Sequence, residues 1–130
     1  MPEKVKVMAA KITEADAVYI STPEWNFTMS SALKNVLDWL SRVNGSNPNP
    51  LATKPVAIAS VSAGGSGGLR AQYDLRKCLL YFKCHVMGLP ELSVSENYMK
   101  VDKFREPKAE NTFVDEKTKQ HGLTHINAFV

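Results

Sequence analysis

The segment from Ala17 to Arg42 constrains the fold more than any other part of the sequence, because it predicts a strand, a loop and a helix in that order. Residues 17–20 form an apolar run that is too short for a globular helix, and a buried strand is predicted over 17–21. The loop 23–26 follows, and apolar residues then recur at helical spacing. Ligands of open α/β sheets bind beyond the carboxyl ends of the strands, so this loop is the first candidate for a functional site.

The helix after this loop has a well-marked beginning and end. Ser30 or Ser31 can act as its N-cap, since either hydroxyl can accept a hydrogen bond from a backbone N–H of the first turn. Residues 44–50 contain Gly45 and two prolines, which predict the end of the helix. Its apolar stripe consists of Leu33, Val36, Leu37, Leu40 and Val43.

A second segment repeats the pattern of strand, loop and helix. Residues 56–61 are apolar on both faces, as expected of a central parallel strand that is covered by helices on each side. The glycine-rich loop 62–68 follows, and a helix is predicted from Leu69 to about Lys83. Two such units in succession indicate a parallel sheet with right-handed crossovers.

The remaining elements are consistent with this arrangement. Residues 3–13 carry apolar side chains at helical spacing and predict an amphipathic helix. Residues 86–94 predict a strand that is interrupted by Gly88 and Pro90, which suits the edge of a sheet. No clear period is seen in 96–112.

A weaker helix is predicted for residues 114–129, because Gly122 lies in its interior. The elements together predict a three-layer α/β fold, with a parallel sheet between helices on both faces. A chain of 130 residues with 44% hydrophobic content fits a single domain over 1–130.

Composition and spacing argue against several classes of function. The formal charge is +3, and Lys and Arg are mixed with Asp and Glu, so no nucleic-acid partner is predicted. No apolar run approaches about 18 residues and the N-terminus lacks an apolar signal region, so no membrane partner is predicted and the cytoplasm is the expected location. Cys78 and Cys84 fit neither a redox nor a zinc motif and are predicted to be buried free thiols. No metal site is predicted, and no catalytic role is assigned to His85, His121 or His125.

Candidate binding residues lie in the two loops that end the predicted strands. They are Pro23, Glu24, Trp25 and Asn26 in the first loop, and Ser62, Ala63, Gly64, Gly65, Ser66, Gly67 and Gly68 in the second. Glycines let backbone N–H groups approach a flat or anionic ligand, and the second loop precedes a helix N-terminus. This loop matches neither GxGxxG nor GxxxxGKS/T, and each residue alone also fits a turn, core or surface role. Both loops are expected at the same end of adjacent strands, which favours a shared site.

These segments resemble a known family. Residues 23–26 (PEWN) and 32–42 (ALKNVLDWLSR) are similar to the PEYN…LKNAIDWLSR signature of the NADPH-dependent FMN reductases. This flavodoxin-like group includes flavin, quinone, azo-dye and chromate reductases. Residues 54–76 resemble the same family's KPVAI…GGxxGGxRAQxxLR segment. The resemblance extends over about residues 1–96.

The resemblance implies non-covalently bound FMN, with its isoalloxazine ring against 23–26 and with 62–68 near its pyrimidine edge. NADPH or NADH would reduce the flavin by hydride transfer, and a quinone, a flavin or another small acceptor would reoxidise it. The cofactor carries this chemistry, so no catalytic side chain is expected. Backbone N–H groups of 64–68 would stabilise negative charge on the ring. The resemblance also implies a homo-oligomer, either a dimer or a tetramer.

The sequence departs from the family in three places. The family begins with a strand and a phosphate-binding loop well upstream of PEYN, whereas only 22 residues precede Pro23 here. The chain is therefore expected to be a partial domain that lacks the first strands, leaves an open edge on the strand 17–21 and holds FMN weakly. Trp25 stands in place of the family's tyrosine, and Ser30 and Ser31 replace a Pro-Gly pair.

Three hypotheses for function remain open at this point. The first is an FMN-dependent reductase. The second is a non-catalytic paralogue that binds a full-length reductase through the exposed strand edge. The third is a nucleotide- or anion-binding domain that uses only the glycine-rich loop.

Overall fold

The computed structural model describes residues 1–43, 49–100 and 115–130. In chain order they form α1 (Glu3–Glu14), β1 (Val18–Trp25), β2 (Thr28–Met29), α2 (Ser31–Leu40), β3 (Pro55–Val61), α3 (Leu69–Phe82), β4 (His85–Val86), β5 (Leu92–Val94), α4 (Asn97–Lys100) and α5 (Glu116–Phe129). Helices and strands alternate through the first two units, as predicted.

The sheet is organised around the parallel pair β1 and β3. Val18 lies opposite Val56, and the register continues without interruption to Pro23 opposite Val61. β4 and β5 both pair in parallel with the other side of β3. The prediction of a parallel sheet is confirmed for these strands, and β2 adds one antiparallel strand beside β1.

Side chains alternate between the two faces of the sheet, and this alternation creates the three layers. Val18 and Ile20 of β1 face the main core, which α1, α2 and α3 cover. Tyr19 points to the opposite face, where its ring packs against His125 and Phe129 of α5. The three-layer α/β fold is therefore confirmed. The main core contains Ala9, Met29, Leu37, Leu40, Leu51, Val56, Ile58, Leu75, Leu79 and Phe82.

The second face is less densely packed than the first. A cavity of about 740 Å³ lies between α5 and the sheet. Leu123 and Ile126 of α5 line it, and each is 47% exposed. α5 is attached to this face by two imidazoles: His121 Nε2 lies 2.6 Å from the carbonyl of Glu91, and His125 Nδ1 lies 2.7 Å from that of Pro90.

The prediction of a loop at Pro23, Glu24 and Trp25 is wrong. These residues continue β1, which is longer than the predicted strand 17–21 and turns back at Asn26 and Phe27 into β2. Asn26 has φ 49° and Phe27 has φ 70°, and two consecutive positive φ values produce the tight turn of a two-residue hairpin. No glycine marks this turn, which is why the sequence pattern did not predict it.

Several other boundaries differ in detail. The predicted strand 86–94 consists of two short strands, β4 and β5, separated by the segment that contains Gly88 and Pro90. The helix predicted for 114–129 is confirmed from Glu116 onward despite Gly122. Gly45, most of 96–112 and the predicted helix start at Val114 lie outside the described residues.

One edge of β1 is only partly paired in the described part of the chain. β2 pairs with β1 at Glu24 and Trp25, and no described strand pairs with this edge over 18–23. Lys4 and Lys11 of α1 line a cavity of about 480 Å³ beside it. The expected open edge of the strand is present among the described residues.

Ser30 rather than Ser31 caps α2, since its Oγ accepts a hydrogen bond from the N–H of Leu33 at 3.3 Å. We expect Ser30→Ala to lower the free energy of unfolding by about 1 kcal/mol, the usual effect of losing an N-cap. Ser31→Ala is the matched control, because Ser31 is exposed. Urea denaturation would measure both variants, and equal stabilities would contradict the assignment of the cap.

Candidate functional site

The two candidate segments predicted from the sequence, 23–26 and 62–68, lie side by side at one rim of the sheet. β1 and β3 are parallel neighbours, and Pro23 lies opposite Val61, the last residue of β3. The hairpin at the end of β1 and the loop 62–68 therefore both extend from the carboxyl end of the sheet. We call this region the shared rim.

Arg70 links the two segments directly. Its Nε donates to Glu24 Oε1 at 2.8 Å, and its Nη2 lies 3.5 Å from Ser66 Oγ. The guanidinium also stacks over the ring of Phe27, 4.0 Å from the ring centroid. Arg70 and Phe27 were not among the sequence candidates. Arg70 lies in the segment 54–76 that resembles the family, but nothing in its spacing indicated that it contacts Glu24, 46 residues away.

The carboxylate of Glu24 is only half satisfied. Its side chain is 6% exposed, and Oε1 is held by Arg70. Oε2 is buried and has no hydrogen-bond donor among the described residues. A buried carboxylate oxygen without a partner is unfavourable, so a donor brought within reach of Oε2 would stabilise it.

The glycine-rich loop offers the opposite polarity. Within residues 49–100 no acceptor is found for the backbone N–H groups of Gly65, Ser66 and Gly68. The N–H of Gly64 is already used, because it donates to Ser62 Oγ at 3.0 Å. The shared rim therefore combines free N–H donors with one buried carboxylate acceptor.

Two of the loop glycines are required by packing. Gly67 has φ 61°, and a Cβ there would lie 2.9 Å from the backbone nitrogen of Ser95. Gly68 has φ 86°, and a Cβ there would lie 2.9 Å from Ser60 Cβ. Gly65 differs from both, since a Cβ at this position would meet nothing within 4 Å. The loop is thus anchored at 67 and 68 and open at 65.

Trp25 and Asn26 line a cavity of about 390 Å³ between the hairpin, α2 and α3. Trp25 is 55% exposed. Cys78 lines the same cavity. Burial raises the pKa of the Cys78 thiol, which favours the unreactive protonated form at neutral pH.

The other chemical groups of the described chain contribute less. Cys78 and Cys84 are free, as predicted, but partly rather than fully buried. No group of three His, Cys, Asp or Glu residues in 1–43, 49–100 and 115–130 could hold a metal ion. None of the helices described is long and apolar enough to cross a membrane.

Comparison with known proteins gives a consistent result. The sequence profile of the family described as NADPH-dependent FMN reductase matches residues 1–98. The chain is 39% identical over 128 residues to a quinone reductase of Escherichia coli strain K12, and 41% identical over 119 residues to an NADPH:quinone oxidoreductase of Arabidopsis thaliana. The alignments cover 98% and 92% of this chain, but only 64% and 56% of the relatives.

Solved structures show the same likeness. The flavoenzyme NAD(P)H:(acceptor) oxidoreductase FerB from Paracoccus denitrificans superposes with a TM-score of 0.79 at 30% identity, over 98% of this chain and 66% of FerB. An NADH:FMN oxidoreductase in its apo form superposes with a TM-score of 0.69 at 20% identity, over 98% of this chain and 58% of that protein, and supports the fold alone. The flavodoxin-like architecture agrees with both.

The ion pair between Arg70 and Glu24 can be tested by its effect on stability. We expect Arg70→Ala to lower the free energy of unfolding by about 1–3 kcal/mol, because it leaves a buried carboxylate without its charged partner. Glu24→Gln should cost less, and the double variant should cost less than the sum. Chemical denaturation would measure all three.

Lys77→Ala is the matched control for this experiment, since it removes a positive charge from an exposed position of the same helix. Its effect should stay within about 0.5 kcal/mol. Additive losses in the double variant would contradict a direct coupling of Arg70 and Glu24.

Proposed function

Because this chain belongs to the NADPH-dependent FMN reductase family, we propose that it binds FMN at the shared rim and oxidises NADPH or NADH with it. The chain spans 64% of the E. coli quinone reductase, so the activity of the whole protein is part of this proposal. Binding of FMN by residues 23–26 and 62–68 is likewise proposed.

The single observation that supports this function best is the complementary polarity of the shared rim. The pyrimidine edge of a flavin carries acceptors at N1 and O2 and one donor at N3–H. The chain offers the reverse, namely free N–H groups at Gly65, Ser66 and Gly68 and an unpaired acceptor at Glu24 Oε2. A ligand with this edge would satisfy polar groups that have no partner among the described residues.

The protein's own part in the reaction is to bind and to stabilise charge. Bound FMN would supply the redox chemistry, taking hydride from NAD(P)H and passing electrons to an acceptor. The N–H groups of Gly65 and Ser66 would stabilise negative charge on the reduced ring. No acid or base is needed from the protein, so none of the described side chains is assigned as catalytic.

A small electron acceptor completes the proposed reaction. The relatives in E. coli and Arabidopsis are named for quinones, and a relative in Pseudomonas aeruginosa is named NAD(P)H-dependent FMN reductase. We therefore propose a quinone or a flavin as the acceptor. The exposed part of the rim suits flat acceptors, which could stack on the ring.

Titration of the chain with FMN, followed by an assay of NAD(P)H oxidation with a quinone, tests this function. We expect saturable binding that perturbs the flavin absorption spectrum. Lumiflavin has the same ring without the ribityl phosphate, and it should bind within about threefold of FMN if the rim holds the ring. Absence of any spectral change with either compound at millimolar concentration would refute the proposal.

The glycine-rich loop allows a sharper test of the binding mode. We expect Gly65→Asp to weaken FMN binding by about tenfold, because its carboxylate would face the electron-rich ring edge. Gly65→Ala is the control and should bind normally, since a Cβ there has no neighbour within 4 Å. Gly67→Ala should weaken binding as well, because its Cβ would collide with the backbone of Ser95. Equal flavin affinities in all three variants would contradict a site in this loop.

Binding to another chain is a second candidate function, which the open edge of β1 favours. The N–H and C=O groups along 18–23 that pair with no described strand could accept a strand from a second copy or from a full-length reductase. We propose a homo-oligomer, either a dimer or a tetramer, that uses this edge. Light scattering that shows only 14.4 kDa particles at high concentration would exclude it.

A further inference from the structure

Gln72 of α3 is fully buried, and its polar side chain lies between this helix and the sheet, close to the glycine-rich loop. Its relative exposure is 0%. Nε2 donates one hydrogen bond to the carbonyl of Leu92 at 2.7 Å and another to Ser60 Oγ at 2.8 Å. Because a backbone carbonyl can only accept, the contact with Leu92 determines which end of the amide is the nitrogen.

Ser60 connects Gln72 to the glycine-rich loop by a second hydrogen bond. Its hydroxyl accepts from Gln72, so its own hydrogen is free to donate, and it donates to the carbonyl of Gly67 at 2.7 Å. The direction of each hydrogen bond is thus set by Leu92 at one end. We call this series, from Leu92 through Gln72 and Ser60 to Gly67, the Gln72 relay.

The Gln72 relay orients the peptide unit that joins Gly67 and Gly68. In a trans peptide unit the N–H points opposite to the C=O. Ser60 holds the carbonyl of Gly67 on the side of β3, so the N–H of Gly68 points away from β3. That N–H has no acceptor in the described part of the chain.

Packing alone does not explain a glutamine at this position. Its Oε1 is buried and has no donor among the described residues. An unpaired buried acceptor is unfavourable, and an apolar side chain of similar size would avoid it. What glutamine adds is the pair of donors that reach Leu92 and Ser60.

We propose that Gln72 and Ser60 are positioning residues that hold the N–H groups of the glycine-rich loop in the orientation that receives the flavin edge. This inference rests on the proposed function, because it assigns the flavin to the loop. Neither side chain needs to touch the flavin, since both act through the backbone of Gly67 and Gly68.

FMN titration of the variants Ser60→Ala and Gln72→Met provides the test. Each variant breaks the relay at one point, and each should raise the Kd for FMN about five- to tenfold, the effect of one lost hydrogen bond. The Kd of the double variant for FMN should be no higher than that of the single variant that binds FMN more weakly, because both changes break the same series of hydrogen bonds. The midpoint potential of bound FMN should fall in each variant, since less negative charge is stabilised on the reduced ring.

Asn49→Ala separates positioning from general destabilisation. Asn49 donates to the carbonyl of Phe82 at 2.7 Å and accepts from the N–H of Leu51, near the C-terminal end of α3. Its loss should destabilise the chain without changing the Kd for FMN. If Asn49→Ala weakened FMN binding as much as Ser60→Ala, or if Ser60→Ala and Gln72→Met bound FMN like the unaltered chain, the proposal would be overturned.

Hydrogen exchange of the flavin-free chain distinguishes failure of this proposal from failure of the proposed function. Breaking the relay should speed the exchange of amides in 65–69 and leave β1 unchanged. If the unaltered chain binds no FMN, the proposed function fails, and faster exchange in the variants would still support the relay. Unchanged exchange in both variants would refute it.

Discussion

The parallel pairing of β1 with β3 is the constraint on which the rest of the structure depends. It joins two strands over six consecutive residue pairs, from Val18 with Val56 to Pro23 with Val61. Because the strands are parallel and in this register, the hairpin and the glycine-rich loop leave the sheet at the same level. The same pairing divides the side chains of β1 between the main core and the face beneath α5. Core and candidate site are therefore two results of one pattern of backbone hydrogen bonds.

The site itself is built from polar groups that the fold leaves incompletely paired. One carboxylate oxygen of Glu24 accepts from Arg70, and the other has no donor among the described residues. Some N–H groups of the glycine-rich loop likewise have no described acceptor. Such groups are costly in a buried setting. Glu24 Oε2 and the loop N–H groups lie together at the shared rim, while other buried polar atoms without a described partner, such as Arg76 Nε and His125 Nε2, lie elsewhere. This clustering agrees with the family to which the chain belongs, whose chemistry resides in a bound cofactor.

The elements that were predictable from sequence are those whose periodicity reflects burial. The strand at 56–61 is apolar on both faces, and helices from Glu3, Ser31 and Leu69 have apolar stripes, so local patterns identified them. The hairpin was missed because its turn uses Asn26 and Phe27 at positive φ instead of a glycine. The contact of Arg70 with Glu24 and the contacts of Gln72 with Ser60 and Leu92 join residues that are far apart in sequence. Only the register of the sheet brings them together, and a single sequence does not display that register.

The attachment of α5 by two histidine side chains has a consequence for how the molecule opens. Its two hydrogen bonds to this side of the molecule go to the carbonyls of Pro90 and Glu91, and its aromatic contacts go to Tyr19, while Leu123 and Ile126 border a large cavity. We expect a helix held in this way to detach before the cooperative unit of β1, β3 and the three helices of the main core unfolds, because sparsely packed elements open at lower free energy. The shared rim belongs to that cooperative unit, so its geometry would persist through such partial openings.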